Sequence, residues 1–306
     1  MLIIVFIALF LQKILFFFKQ ATLQYKIRRE RAVYEKGYNS FLLGMVALAN
    51  KDFTKAVLET KKVDKYFKDE SLSLLLKSET LKLEKKFDEL NNVYETMLKN
   101  PNTKLLGLRG LMEQNLRAQD FHHAFIYGEK LFNLNPRIDK LYDTLINIIG
   151  KTNNWQKLFQ INDQALKLKI IDKNSYKENM SIALYEIAKI KRYNEENEAI
   201  SLIEKALKYR EYFSPYVVFY IQLLISSNKL SKAKNYLYKA WNKFSHPELK
   251  NEMKLLSQKL KISYYELAKF ITDNSSNTFD SKILLTESLI EDQNWVKSKK
   301  RIKLSS

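Results

Sequence analysis

The sequence predicts an all-α protein built as a solenoid of antiparallel helix pairs. Four aromatic residues recur 34 positions apart, at Phe53, Phe87, Phe121 and Trp155. A small or aliphatic residue follows each of them three positions later, at Ala56, Leu90, Ala124 and Leu158. The 306 residues include only 6 Gly and 4 Pro, which is little material for the many turns of a β protein. A fixed interval of this kind favours a stack of repeated helix pairs over an irregular helical domain.

Thirty-four residues is the length of a tetratricopeptide repeat (TPR), in which a helix A pairs with a helix B. The aromatic residue opens helix B and is expected to wedge against helix A. The small residue one turn later lets the two helix axes approach closely. In the first repeat Gly44 belongs to helix A, and Lys51 to Phe53 turn the chain into helix B. Pro101 and Pro136 each follow an Asn and are expected at the ends of B helices.

A second run with the same period follows an insertion. Its markers pair at 34-residue intervals, Ala199 with Ala233 and Ala206 with Ala240. The last repeat opens at Trp295. The predicted organisation is therefore a membrane anchor at 1–18, a basic juxtamembrane helix at 19–36, four TPR-like repeats at 37–170, a connector and long helix at 171–198, further repeat helices at 199–245, and C-terminal helices with an incomplete last repeat at 246–306.

The first 18 residues have the composition of a single membrane anchor. They are apolar except for Gln12 and Lys13, and a helix of this length spans about 27 Å, just short of the hydrocarbon core. Six basic residues follow between positions 19 and 36 and none precedes the segment, so the positive-inside rule predicts cytoplasmic repeats. The same basic residues are expected near anionic lipid headgroups. The alternative is a hydrophobic helix packed on the repeats.

Little in the sequence supports catalysis or nucleic-acid binding. The net charge of +18 is spread along the whole chain, and the aromatic residues fall on the helical core period rather than among the basic residues. Cys is absent, which excludes thiolate nucleophiles and thiolate metal sites. His122 and His123 are adjacent, so on a helix they point about 100° apart and cannot chelate a metal as an i,i+4 pair would. We therefore expect a non-enzyme with no cofactor or metal, whose partners are proteins and not nucleic acids.

The candidate binding site is the set of A-helix residues that face the inner surface of the solenoid. The repeat register places eight residues there, in three stripes: Tyr38, Phe41 and Met45; Arg109, Glu113 and Arg117; Asn147 and Lys151. Arg109 and Arg117 together could clamp a carboxylate, such as a partner's terminus or a porphyrin propionate. Alternatively, they pair with Glu113 on their own helix or with solvent.

Three segments carry a resemblance to a known family. The apolar start, the basic stretch and GYNSFLLGMVALANKDFTKAV (37–57) resemble the opening of the HemY family, bacterial inner-membrane TPR proteins associated with haem biosynthesis. The segment 105–136, with its Leu-Arg-Gly-Leu helix, acidic-aromatic turn and Asn-Pro end, is the best match, and 152–172 resembles the next unit. Family members usually carry two apolar segments before the repeats, and this chain has one.

The resemblance implies a scaffold at the inner membrane that holds late haem-pathway enzymes, or a tetrapyrrole intermediate, without performing the porphyrin chemistry. Direct tetrapyrrole binding stays open at this point. A second hypothesis is another membrane-anchored TPR adaptor, in envelope assembly or cytochrome maturation. A third is an enzyme or a nucleic-acid binder.

Overall fold

The computed structural model describes residues 2–67 and 71–292, with side chains from residue 19 onward and, before it, for Lys13, Phe16 and Phe17. Every regular element in these ranges is helical, which confirms the predicted all-α class. The α-helices are α1 Leu2–Ala49, α2 Phe53–Tyr66, α3 Ser71–Glu84, α4 Phe87–Lys99, α5 Lys104–Arg117, α6 Phe121–Leu134, α7 Leu141–Thr152, α8 Trp155–Lys167, α9 Lys173–Lys191, α10 Glu196–Tyr209, α11 Ser214–Ser226, α12 Leu230–Lys243, α13 Leu249–Leu260, α14 Tyr264–Ile271 and α15 Phe279–Glu291. Trp295, the expected start of the last repeat, lies outside the described residues.

The repeat period appears directly in the positions at which the B helices begin. Helices α2, α4, α6 and α8 start at the four aromatic residues, each 34 residues after the previous start. Helices α10, α12 and α14 start at Glu196, Leu230 and Tyr264, again 34 residues apart. Between the two runs lies α9, which at 19 residues is longer than its neighbours and absorbs the shift in register. Its length accounts for the insertion that the sequence places within 170–198.

The turns from helix A to helix B share one backbone geometry. The residue two positions before α2, α4, α6 and α8 has a positive φ of 54° to 59°, at Lys51, Lys85, Gln119 and Asn153. At the first turn Lys51 N–H donates to the Leu48 carbonyl at 3.1 Å, and Asp52 N–H donates to the Ala47 carbonyl at 2.8 Å. These two bonds form a Schellman motif, which usually carries Gly at the left-handed position. Asp52 then caps α2 by accepting from Lys55 N–H at 3.0 Å.

Helix α1 joins the predicted anchor, the basic juxtamembrane helix and the first helix A of the repeats in one continuous 48-residue helix. Its side chains from 19 to 36 are exposed, and Arg31 pairs with Glu35 at 3.4 Å. From residue 37 it packs on α2 and α3 as the first helix A. A Cβ at Gly44 would lie 2.7 Å from a Leu76 methyl, so glycine permits this close approach. Within the described residues, no helix is long and apolar enough to cross a membrane, and most side chains of the predicted anchor, 1–18, lie outside the described part.

The chain divides into two compact units, Met1–Ile148 and Ile149–Ser306, and the division falls inside α7. In the first unit, small clusters form under successive helix pairs, such as Val63, Phe67 and Leu76 beneath α1. In the second unit, one large cluster surrounds α11, whose Val217, Ile221 and Leu224 are fully buried. A helix that is apolar on nearly all sides is expected at the centre of such a core.

The predicted repeat-packing positions differ in burial. Those filled by small or aliphatic residues are at most 1% exposed, at Ala56, Leu90, Ala124, Leu158, Ala199, Ala206, Ala233 and Ala240. Phe121 and Trp155 are partly buried. Phe53 and Phe87, however, keep 48% and 44% of their surface exposed, so these two rings are much less buried than the small residues that follow them.

Candidate partner-binding surface

Two neighbouring A helices of the first unit, α3 and α5, border a groove of about 210 Å³, which we call the A-face groove. Its α3 side consists of Leu75, Ser78, Glu79 and Lys82, and its α5 side consists of Leu106, Arg109, Gly110 and Glu113. The remaining lining residue, Tyr94, comes from helix α4. The A-face groove therefore has charged walls and an aromatic base.

Tyr94 lines this groove because α5 has a glycine where the ring passes. The ring is 3% exposed, and a Cβ at Gly110 would lie 2.3 Å from its Cζ. A Cβ at Gly107, one turn earlier, would lie 2.8 Å from the Tyr94 carbonyl oxygen. The two glycines of the Gly-Leu-Arg-Gly segment thus let α4 and α5 pack closely and leave room for the phenol between them.

Ion pairs occupy the walls of the A-face groove. Lys82 Nζ donates to Glu79 Oε1 at 2.6 Å and lies 5.9 Å from the centre of the Tyr94 ring. Burial raises the pKa of Tyr94 above its ordinary value. Burial alone would lower the pKa of Lys82, but its hydrogen bond to Glu79 leaves that pKa above the ordinary value. The groove therefore presents a neutral phenol and a charged ammonium side by side.

The structure places Arg109 and Arg117, the two residues of the predicted carboxylate clamp, in separate cavities. Arg109 Nε donates to Glu113 Oε1 at 2.8 Å, so the alternative of an ion pair within one helix holds for this residue. Arg117 lines a different cavity, between α4 and α5. Eight residues of helix separate the two side chains by about 12 Å along the axis and turn them about 80° apart. Only Arg109 and Glu113 of the predicted third-repeat stripe line the A-face groove.

The other predicted groove residues lie elsewhere on the two units. On α1, Tyr38 and Met45 are exposed, and Tyr38 stacks on Tyr34 with ring centres 6.4 Å apart. Phe41 is partly buried and packs against the cluster of Val63, Phe67 and Leu76, so its main contacts are in the core. On α7, Asn147 and Lys151 are both exposed. None of these five residues lines the A-face groove.

Sequence reasoning missed Glu79, Lys82 and Tyr94, which supply much of the A-face groove. No period marks Glu79 or Lys82, because a charged residue on a helix face is ordinary. A signal for Tyr94 was present in α5: Gly107 and Gly110 lie inside a helix, where glycine is unfavourable unless another group packs against the backbone.

A second cavity, of about 370 Å³, lies between the first turns of α4 and the last turns of α5. We call it the edge cavity. Phe87, Asp88 and Asn91 line it from α4, and Gln114, Asn115, Arg117 and Ala118 line it from α5. Asn91 Oδ1 and Gln114 Nε2 are both buried without a hydrogen-bond partner.

Comparison with known proteins supports the fold alone. No protein-family model matches the chain, and no curated protein matches it significantly. Among solved structures, a complex of Naa15 and Naa10 bound to HypK-THB superposes with a TM-score of 0.54 at 14% identity, over 87% of this chain and 40% of the matched chain. This chain therefore spans less than half of that relative. A tetratricopeptide repeat protein from Parabacteroides merdae aligns over 86% of this chain and 99% of its own at 13% identity, with a TM-score of 0.38.

Proposed function

We propose that this protein is a helical-repeat scaffold that binds protein partners, and that the A-face groove is a contact site. The observation that carries the proposal is the groove itself, where two A helices expose paired charges above a buried phenol. Arg and Tyr are residue types enriched where protein interfaces derive most of their binding energy. The Naa15 and Naa10 complex, which shares the fold at a TM-score of 0.54, is itself bound to another protein, HypK-THB.

We propose further that the scaffold works at the bacterial inner membrane in late haem biosynthesis. Three sequence features support this: the apolar segment 1–18, the basic flank 19–36 that favours cytoplasmic repeats, and the resemblance of 37–57 and 105–136 to the HemY family. In this role the protein holds haem-pathway enzymes together and leaves the chemistry to them. The buried Tyr94 and the ion-paired walls favour a protein contact over a tetrapyrrole in the A-face groove.

Crosslinking of the full-length protein in its own membranes tests both levels of the proposal. Recovered partners are identified, and the Soret absorbance of the eluate reports any bound tetrapyrrole. Arg109→Glu breaks the pair with Glu113 and reverses a charge in the A-face groove. Lys104→Glu makes the same reversal at an exposed position of α5 that does not line the groove.

We expect Arg109→Glu to lose the partners that Lys104→Glu retains. Equal recovery from both variants would refute the A-face groove as the contact site. Partners from envelope assembly or cytochrome maturation, without haem-pathway enzymes or a Soret band, would refute the haem-pathway role and leave the scaffold role standing.

A further inference from the structure

The first helix A of the repeats has a face that is left exposed. On α1 this face consists of Asn39, Leu42 and Val46, which lie on one side of the helix at the spacings i, i+3 and i+7. We call it the open stacking face. Leu42 is 45% exposed, Val46 is 53% exposed, and Asn39 and the neighbouring Leu43 are exposed as well. The residues before Asn39 belong to the same helix, so they cannot fold back over this face.

The residues 34 positions later on α3 form a buried counterpart of this face. They are at most 4% exposed: Ser73, Leu76 and Thr80. The same positions on α5 include Gly107 and Gly110, which pack closely against Tyr94 of α4. In both repeats, helix B of the preceding repeat covers the face. The open stacking face is therefore a continuation of the repeat-to-repeat interface, because no helix B precedes α1 in the described part of the chain.

The packing of α2 on α3 shows how a helix binds such a face. Two hydrogen bonds flank an apolar contact in this pair: Thr60 Oγ1 with Thr80 Oγ1 at 2.9 Å, Asp64 Oδ1 with Ser73 Oγ at 2.8 Å, and Leu76 with Val63 and Phe67 between them. The residue numbers of these contacts rise along α2 as they fall along α3, so the two helices are antiparallel. Helix α2 thus uses positions 1, 4, 5 and 8 of an eight-residue segment.

The residues of α1 determine what a helix needs in order to bind there. Val46 occupies the position of Thr80, so an apolar side chain is needed where α2 has Thr60. Leu42 keeps the apolar contact of its counterpart on α3. The Asn39 amide has an N–H donor for a carboxylate, as the serine of α3 has an O–H donor.

The charge next to the open stacking face favours an acidic helix. Residues 19–36 contain six basic and two acidic residues, a net charge of +4, and all of these side chains are exposed. A helix that lies antiparallel to α1 runs from Val46 towards this stretch. Its carboxyl-terminal half therefore approaches the basic residues, where acidic side chains add an attraction that salt screens.

We propose that the open stacking face binds an amphipathic helix of a protein partner, antiparallel to α1, as α2 binds α3. The partner helix has apolar residues at positions 1, 4 and 8, a carboxylate at position 5 opposite Asn39, and further acidic residues towards its carboxyl end. Terminal repeats of a solenoid usually present a polar outer face, and exposed apolar surface with a polar rim marks interaction sites. This inference rests on the proposed scaffold role and adds a second contact, separate from the A-face groove.

Fluorescence anisotropy with a labelled peptide and the full-length protein in detergent micelles tests the proposal. The probe is a hydrocarbon-stapled helix of residues 53–67 with Thr60→Leu, in which the exposed lysines at 61, 62 and 65 are replaced by Glu. A second probe keeps the three lysines. We expect saturable binding of the acidic probe and weaker binding of the basic probe, with a difference that shrinks as salt is added. Equal binding of the two probes, or no saturable binding of the acidic probe below about 1 mM, would overturn the proposal.

Two variants of the protein locate the binding. Leu42→Glu and Val46→Glu each place a charge in the apolar contact and are expected to weaken binding of the acidic probe at least about tenfold. Met45→Glu is the matched control, because Met45 is exposed on the same helix and its counterparts on α3 and α5 are Glu79 and Glu113. Equal binding to Leu42→Glu and Met45→Glu would refute the open stacking face as the site. A loss of stability in urea for Leu42→Glu alone would also refute it, because Leu42 would then pack within the chain.

Two further outcomes separate this proposal from its alternatives. In sedimentation experiments, a dimer that Val46→Glu dissociates would assign the face to a second copy of the chain and overturn the partner helix. If crosslinking recovers partners that Arg109→Glu loses while the acidic probe does not bind, the scaffold role stands and the open stacking face is refuted. Binding of the probe without any captured partner would keep this face and refute the A-face groove as the contact site.

Discussion

Replacing Gly110 by Ala tests whether α4 and α5 approach as closely as the structure shows. The added Cβ would lie 2.3 to 2.5 Å from three ring atoms of Tyr94, whose ring is buried and cannot simply swing away. Overpacking of this kind costs about 1–3 kcal/mol. Replacing a glycine inside a helix by alanine gains about 1 kcal/mol. We therefore expect a net loss of up to about 2 kcal/mol in the free energy of unfolding, measured by urea denaturation.

Two comparisons separate the clash from helix propensity. At Gly150 in α7, the nearest atom to an added Cβ is 3.8 Å away, so Gly150→Ala should stabilise the protein by up to about 1 kcal/mol. In a Tyr94→Ala background, Gly110→Ala should also become stabilising, with a coupling of about 1–3 kcal/mol between the two sites. If Gly110→Ala stabilises the unaltered protein as much as Gly150→Ala does, the close approach of α4 and α5 is refuted.

Three further predictions concern turns, caps and the core. Gln119 has a φ of 59°, a left-handed conformation that is strained for any residue except glycine. Gln119→Gly should therefore raise the free energy of unfolding by about 0.5–1 kcal/mol in urea melts. An equal gain from Gln119→Ala would contradict backbone strain at this position. Asp120 accepts from His123 N–H, which lowers the pKa of this carboxyl. The stability that Asp120 adds is present above its unfolded pKa and is lost as the pH falls through the lower folded pKa. In thermal melts from pH 7 to 3, the unaltered protein should therefore lose more stability in acid than Asp120→Asn does. A difference in melting temperature between the two proteins that stays constant over this pH range would contradict the prediction. In the core, Trp241 Nε1 donates to the buried Ser281 Oγ at 2.9 Å, so Ser281→Ala should cost about 1–3 kcal/mol while the exposed Ser276→Ala costs little.

The fold was predictable because its signals are local and repeated. Aromatic and small residues that recur at 34-residue intervals predict where the B helices begin. The insertion between the two runs predicts the longer helix α9. The left-handed turn residues were harder to foresee. Lys51, Lys85 and Gln119 occupy a conformation that usually requires glycine, and only the helices on both sides of each turn hold them there.

The candidate site was less predictable, because it depends on which helices become neighbours and on how far each side chain reaches. Helical spacing put Arg109 and Arg117 on one stripe, but the structure places them in separate cavities. The same spacing did not predict a role for Tyr94, which lines the A-face groove from a B helix, α4.

By itself, then, the sequence determined the helix class, the repeat length and the small residues at the packed positions, because these follow from periodicity along one chain. Only the tertiary structure decided that Tyr94 passes α5 at Gly110, that Arg109 pairs with Glu113, and that Asn91 and Gln114 share a cavity without bonding each other. The first and last of these features arise where two helices meet, whereas the pair of Arg109 and Glu113 lies within α5. The geometry where two helices meet depends on shifts of a few tenths of an ångström in the positions of side chains that are far apart in sequence.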